Sequence, residues 1–235
     1  MMLRMFQADM LKMKRKWIWF LIFLGPFGVI ALQGVNYGLR YDYLLNLYSN
    51  DWQGLIGNIQ NLVPVTLLLG IAIVTSMIAN IEHHQNSWKQ LLALPVQRSV
   101  IYGAKFFVTV LMLLVSCLLL FLGSIILGII LDFGWTFSVI DLLKMSFMPL
   151  LAALPLLAFQ LWLAITFKNQ ALALSIGILG AIFSMYTADM PDWVLWKWPL
   201  LQSEHAVAWY AIIGGMTGII IFLIGMIDFT KRDVT

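Results

Sequence analysis

Six apolar windows divide the chain, at about residues 17–35, 59–81, 106–131, 146–167, 171–187 and 207–227. Each approaches the roughly 20 apolar residues that a helix needs to cross a hydrocarbon core. The third is long enough to tilt or to continue past the membrane. The fourth holds Pro149 and Pro155 and is expected to kink. The fifth is short but free of charge. Since a lipid-exposed backbone must satisfy its own polar groups, apolar windows of this length read as helices. The expected fold is all-α: a polytopic membrane protein whose six transmembrane helices form one domain over residues 1–235.

Composition agrees with the pattern. Of 235 residues, 62% are hydrophobic and 11% charged, with a mean hydropathy of +0.92, against about 25% charged residues in soluble domains. The net charge of +3 follows topology and gives no reason to expect a nucleic-acid partner. Cys117, the single cysteine, lies within an apolar window and reads as a packing residue, so no disulfide framework exists within the chain.

Ahead of the first window, Met2, Phe6, Met10, Met13 and Trp17 recur three or four apart, while Lys12, Lys14, Arg15 and Lys16 add positive charge. This predicts an N-terminal amphipathic helix lying in the membrane interface against anionic headgroups. A cleaved signal peptide is not expected, because Gly25-Pro26 stands where a small-residue cleavage site would be needed. Placing the N-terminus inside puts eleven of the fourteen Lys and Arg residues on the cytoplasmic side. Arg40, Lys144 and Lys197 remain outside with seven acids: Asp42, Asp51, Asp132, Asp141, Asp189, Asp192 and Glu204. Both termini and the 82–105 connection are then cytoplasmic.

Two outer segments differ in character. Residues 37–58 are polar and aromatic, which suits an interfacial loop or short helix. Residues 188–209 hold Pro191, Trp193, Trp196, Trp198 and Pro199. Tryptophan favours the membrane–water boundary, so this stretch reads either as a re-entrant or interfacial helix or as an ordinary aromatic belt.

Catalytic chemistry is sparse. The windows contain essentially no ionisable residue, since Glu82, Lys168 and Asp228 stand at their ends, which argues against a proton pump or ion channel. His83 and His84 diverge by about a hundred degrees on a helix and make a poor metal site. The third histidine, His205, falls outside, leaving no base at membrane depth to activate a serine. No Gly-rich phosphate loop or dinucleotide fingerprint occurs. Work on a substrate would need energy from another subunit.

The 82–105 connection is the candidate for that link. After Ser87, Trp88, Leu91 and Leu92 recur at helical spacing while Lys89, Gln90 and Arg98 fall elsewhere, and Pro95 stops the helix. The result is a short amphipathic helix on the cytoplasmic side, suited to the membrane surface or to a partner. Glu82, the run Ser87-Trp88-Lys89-Gln90-Leu91-Leu92-Ala93-Leu94-Pro95-Val96-Gln97-Arg98 and the following Ile101-Tyr102-Gly103-Ala104-Lys105 resemble permease subunits of ABC-2 type transporters. In particular they resemble the permeases of lantibiotic immunity and bacitracin-type resistance.

That resemblance implies a type V exporter-like permease in a bacterial plasma membrane. It would pair with an ABC ATPase subunit and with a second copy or a related permease, and expel a peptide antibiotic. ATP and Mg would be bound by the ATPase, leaving this chain without a cofactor or enzymatic activity of its own. Trp88, Leu91 and Leu92 would enter a groove of the ATPase, while Glu82, Lys89 and Arg98 would pair with its charged rim. Trp193, Trp196 and Trp198 are candidate substrate contacts. The same fold would also suit export of a lipid-linked or drug substrate, and a membrane scaffold that recruits a cytoplasmic partner is a further alternative.

Overall fold

The computed structural model describes Leu11 and residues 17–48, 50–84, 97–202 and 207–231, and among these it is helical with no strand. Eight α-helices follow in order: α1 (Ile18–Leu47), α2 (Asp51–Gln60), α3 (Val63–His84), α4 (Arg98–Ile130), α5 (Val139–Ala152), α6 (Leu154–Thr166), α7 (Gln170–Ser184) and α8 (Val207–Lys231). A 3-10 helix, Leu195–Leu200, lies between α7 and α8. Four stretches are long and apolar enough to cross a membrane: α1, the run Asp51–His83 through α2 and α3, α4, and Ala208–Lys231. The pair α5 and α6 makes a fifth when its two halves are taken as one bent span. At fifteen residues, α7 is shorter.

Local chemistry sets the helix ends. Asn50 caps α2, its side chain accepting from the Trp52 and Gln53 amides at 3.0 and 3.4 Å. Ser138 caps α5 through the Asp141 amide, and Asn169 caps α7 through that of Ala171. The expected kink in the fourth window is a 45° bend between α5 and α6. Pro155 stands at the start of α6 and has no N–H to give to the Leu151 carbonyl.

Several boundaries differ from the apolar windows. α1 continues to Leu47, through residues that read as an interfacial loop or short helix, with a break in its helical geometry at Arg40. Polar groups support this extension: Gln33 donates to the Asn58 carbonyl at 3.0 Å and Asn58 to the Tyr37 hydroxyl at 3.3 Å. The short helix expected in 37–58 is α2, fixed to the α4–α5 turn by a bond from Trp52 Nε1 to the Phe133 carbonyl at 3.0 Å. α4 begins at Arg98 and runs through Lys105 into the third window, as the restart of helical sequence after Pro95 leads one to expect.

Glycine lets α8 approach its neighbours closely. Along α8, a Cβ on Gly214 would stand 2.6 Å from Ala152 Cα, and one on Gly218 would stand 2.7 Å from Leu154 Cβ. α8 thereby lies against the α5–α6 bend. The outward faces are apolar, as in Phe20, Phe23 and Phe27 of α1 and Ile219, Ile220 and Leu223 of α8. Trp17, Trp135, Tyr186 and Trp193 are each more than 70% exposed and stand at the ends of helices or in turns, the places expected of interfacial anchors.

Candidate functional site

At one end of the bundle, helix ends flanking the amphipathic segment converge on a polar cluster. Glu82, near the end of α3, meets Lys105 of α4, with 3.2 Å between carboxylate oxygen and Nζ. Both side chains are buried, at 1% and 2% exposure. Beside them, His83 Nε2 lies 3.2 Å from the Ala164 carbonyl of α6. Arg98, the first residue of α4, donates to the Thr230 carbonyl in the last turn of α8 at 3.3 Å. A cation there complements both the terminal carbonyls and the helix dipole. Trp162 of α6 donates its indole N–H to Asp228 of α8 at 2.8 Å. Tyr102, fully buried, packs between Phe222 and Phe229 with ring centroids 5.5 and 5.7 Å away.

The residues on either side of the 85–96 segment are therefore fastened to three helices: α4 through Glu82, α6 through His83, and α8 through Arg98. A displacement of that segment would bear on all three at once. Trp88, Lys89, Leu91 and Leu92, and the amphipathic helix they were expected to form, lie outside the described residues, as does the N-terminal helix apart from Leu11. Of the expected docking residues, Glu82 is buried, with its carboxylate 3.2 Å from Lys105 Nζ. Arg98 is half-buried against α8. In sequence, Lys105 stands within the family-like run without a role at this site, and Asp228 only as a charge at the end of a window. The period of α4 offered the signal for Lys105, because it falls on the buried face with Ile101, Val108 and Met112.

The other end is organised around Asp192. Its carboxylate accepts from Lys197 Nζ at 2.9 Å and from the Tyr210 hydroxyl at 2.7 Å. Its main-chain carbonyl accepts from Trp198 Nε1 at 2.7 Å. Lys197 also donates to the Met190 carbonyl at 2.6 Å, and the Trp198 ring stacks on Tyr210. No re-entrant α-helix forms in 185–202; turns and one short 3-10 helix occupy the stretch. Pro191 and Pro199 each lack an amide proton, and the capture of side chains by residue 192 stabilises the turns instead.

The three candidate substrate tryptophans separate accordingly. Trp198 is buried at 7% exposure, Trp196 lies against Gly180 and Phe183, and Trp193 is 78% exposed. Asp192→Ala is expected to destabilise the protein by about 1 kcal/mol, a modest value for a pair whose acid is 43% exposed. Thermal unfolding in detergent, followed by tryptophan fluorescence, would register that loss.

The described residues thus form an all-helical bundle with four or five candidate membrane spans. The model of the ABC-2 family transporter protein matches residues 5–184, and the chain belongs to this family. Family members are transport subunits that work with a separate ABC ATPase, so membership implies such a partner. No curated protein matches the chain.

Proposed function

We propose that this chain is the membrane subunit of an ATP-driven exporter and that a separate ATPase docks on the 85–96 segment. The observation that supports this most is the attachment of both flanks of that segment to the bundle core through Glu82 and Arg98. Trp88, Leu91 and Leu92 supply the apolar anchors of the contact, and Lys89 supplies charge at its edge. ATP and Mg are held by the partner. Its closure moves the segment, and α4, α6 and α8 follow as a two-state element.

In this reading six crossings are made. α7 is the short one, about 22 Å long at 1.5 Å per residue, against roughly 30 Å of hydrocarbon. A local thinning of the bilayer or a flanking tilt accommodates it. Six crossings put both termini on one side, and the distribution of Lys and Arg makes that side the cytoplasm of a bacterial cell. Two permease copies, or this chain and a related one, enclose the export path.

The cargo is a cationic amphipathic peptide of the lantibiotic or bacitracin type, attracted by the seven acids that face outward against three basic residues. Trp193, exposed beside Asp192, is the candidate contact for it, whereas Trp196 and Trp198 act through packing.

Co-purification from native membranes tests the docking. Since Arg98 also holds α8, the informative variant is Trp88→Ala with Leu92→Ala, which leaves the Arg98–Thr230 contact in place. The wild type is expected to bring down a P-loop ATPase, and the variant to lose it by tenfold or more, about the effect of removing one or two anchors at 1–2 kcal/mol each. Equal recovery of the ATPase with both chains would refute the docking site.

A further inference from the structure

A groove of about 400 Å³ lies between α1, α3 and α4. Its walls are almost wholly apolar, with Leu24, Pro26, Leu67, Leu113 and Cys117 among them. Gly25, Gly28 and Gly70 also line it, and close helix packing requires none of the three. A Cβ on Gly28 would meet nothing within 4 Å, and on Gly25 or Gly70 its nearest neighbours would be 3.7 Å away, an ordinary contact. These glycines differ from Gly214, where a Cβ would strike backbone. They leave room in the groove rather than letting helices touch.

The polar atoms along the walls are mostly satisfied within the helices. Thr66 donates to the Leu62 carbonyl at 2.8 Å and Ser116 to that of Ile22 at 3.2 Å. Ser146 is the exception. It borders the groove and is 1% exposed, and its hydroxyl has no hydrogen-bond partner among the described residues. Ser124 of α4, by contrast, donates to the Leu120 carbonyl at 2.7 Å, while Ser76, which also has no partner among the described residues, does not line the groove. A buried hydroxyl left without a partner is unfavourable, and a ligand acceptor at this position relieves it.

The surroundings restrict the ligand. The groove is formed by membrane-crossing helices, so the hydrocarbon phase supplies its occupant. Its lining penalises charge and unpaired peptide groups. At about 30 Å³ for each group the size of a methylene, taken as the liquid volume share of one water molecule, it holds on the order of a dozen chain carbons. We propose that the groove binds one acyl chain of a membrane glycerolipid, with the ester carbonyl accepting the Ser146 hydroxyl. This site stands independently of the transport function and of the ATPase contact.

Photolabelling of the full chain in phosphatidylcholine nanodiscs tests it. The probe is a phosphatidylcholine with a diazirine at the end of one acyl chain, and adducts are located by peptide mass spectrometry. Labelling of Leu67, Leu113 and Cys117 is expected to exceed that of Ile219, Ile220 and Leu223 by about fivefold, the scale that one retained hydrogen bond sets. Gly28→Leu with Gly70→Leu fills the groove and brings wall labelling down to the level on α8. Ser146→Ala, a substitution that a helix accommodates readily, lowers wall labelling by a similar factor and leaves that on α8 unchanged. Equal labelling of the wall and α8 in the wild type would mean annular lipid only and would overturn the site. Wall labelling unchanged by Ser146→Ala would overturn the anchoring contact and with it the site as assigned.

Discussion

Lys105→Met is expected to destabilise the protein by about 3–5 kcal/mol, the cost of breaking a buried ion pair by removing one partner. The lysine lies 3.2 Å from a carboxylate that is itself 1% exposed. Removing its charge leaves the buried Glu82 carboxylate without that cation. At roughly 2–4 °C per kcal/mol for a chain of this size, the unfolding temperature in detergent should fall by about 6–20 °C. Glu82→Gln alone should cost a comparable amount, because a lysine nearly as deeply buried then loses its anion.

The double variant Glu82→Gln with Lys105→Met distinguishes a specific pair from two separately sensitive positions. A hydrogen-bonding amide beside an apolar chain of similar volume should recover much of the loss, so the double variant is expected to be more stable than the sum of the singles. Strict additivity would show that the two side chains do not interact. If an ATPase docks on residues 85–96 as proposed, export should respond as well, since the pair holds Glu82 on one flank of that segment to α4.

The second large effect is expected at Gly214. Gly214→Leu places a Cβ 2.6 Å from Ala152 Cα and 2.7 Å from the Leu151 carbonyl oxygen, both backbone atoms that cannot rotate away. α8 must then move off the α5–α6 bend, at a cost of about 1–3 kcal/mol or more. Gly215 is the control, because a Cβ there meets nothing within 4 Å. Gly215→Ala should be neutral or slightly stabilising, since alanine is the better helix former by about 1 kcal/mol. Thermal unfolding of the two variants side by side checks this contrast. A similar loss in both would show that the outward face of α8, too, packs against protein.

Much of the fold is legible in the chain because membrane helices announce themselves by length and apolarity. The windows at 59–81 and 207–227 coincide closely with α3 and α8, and Pro149 and Pro155 bracket the observed bend. Reading failed where polar residues serve the interior. Residues 37–47 carry tyrosine, arginine and aspartate and read as part of an interfacial loop or short helix, yet Tyr37 and Leu44 are buried and α1 itself continues through them. A count of apolar residues cannot register that Gln33, Tyr37 and Asn58 satisfy one another across 25 positions of sequence.

Lys105 belongs to the run that resembles the family, but its interior role was hidden for the same reason. A charge beside an apolar window reads as solvated until its partner is known, and that partner stands 23 residues earlier. The Trp-Pro stretch near residue 195 was read from the interfacial preference of tryptophan. Trp193 follows that preference, whereas Trp198 is drawn inward by the Asp192 carbonyl and the Tyr210 ring. The features most specific to the family, Trp88 to Leu92, were visible in sequence and fall outside the described residues. Their flanks show why this connection, unlike a plain loop, is fastened on both sides to the core.

Site-specific photo-crosslinking from position 91 tests the central claim most directly. A benzophenone amino acid replaces Leu91 in the full chain, and native membranes are irradiated before any solubilisation. One dominant protein adduct is expected, a P-loop ATPase, and it should disappear when Trp88→Ala is added. Adducts with lipid alone would contradict it, leaving the 85–96 segment as an interfacial helix and the chain without a docked motor at this site.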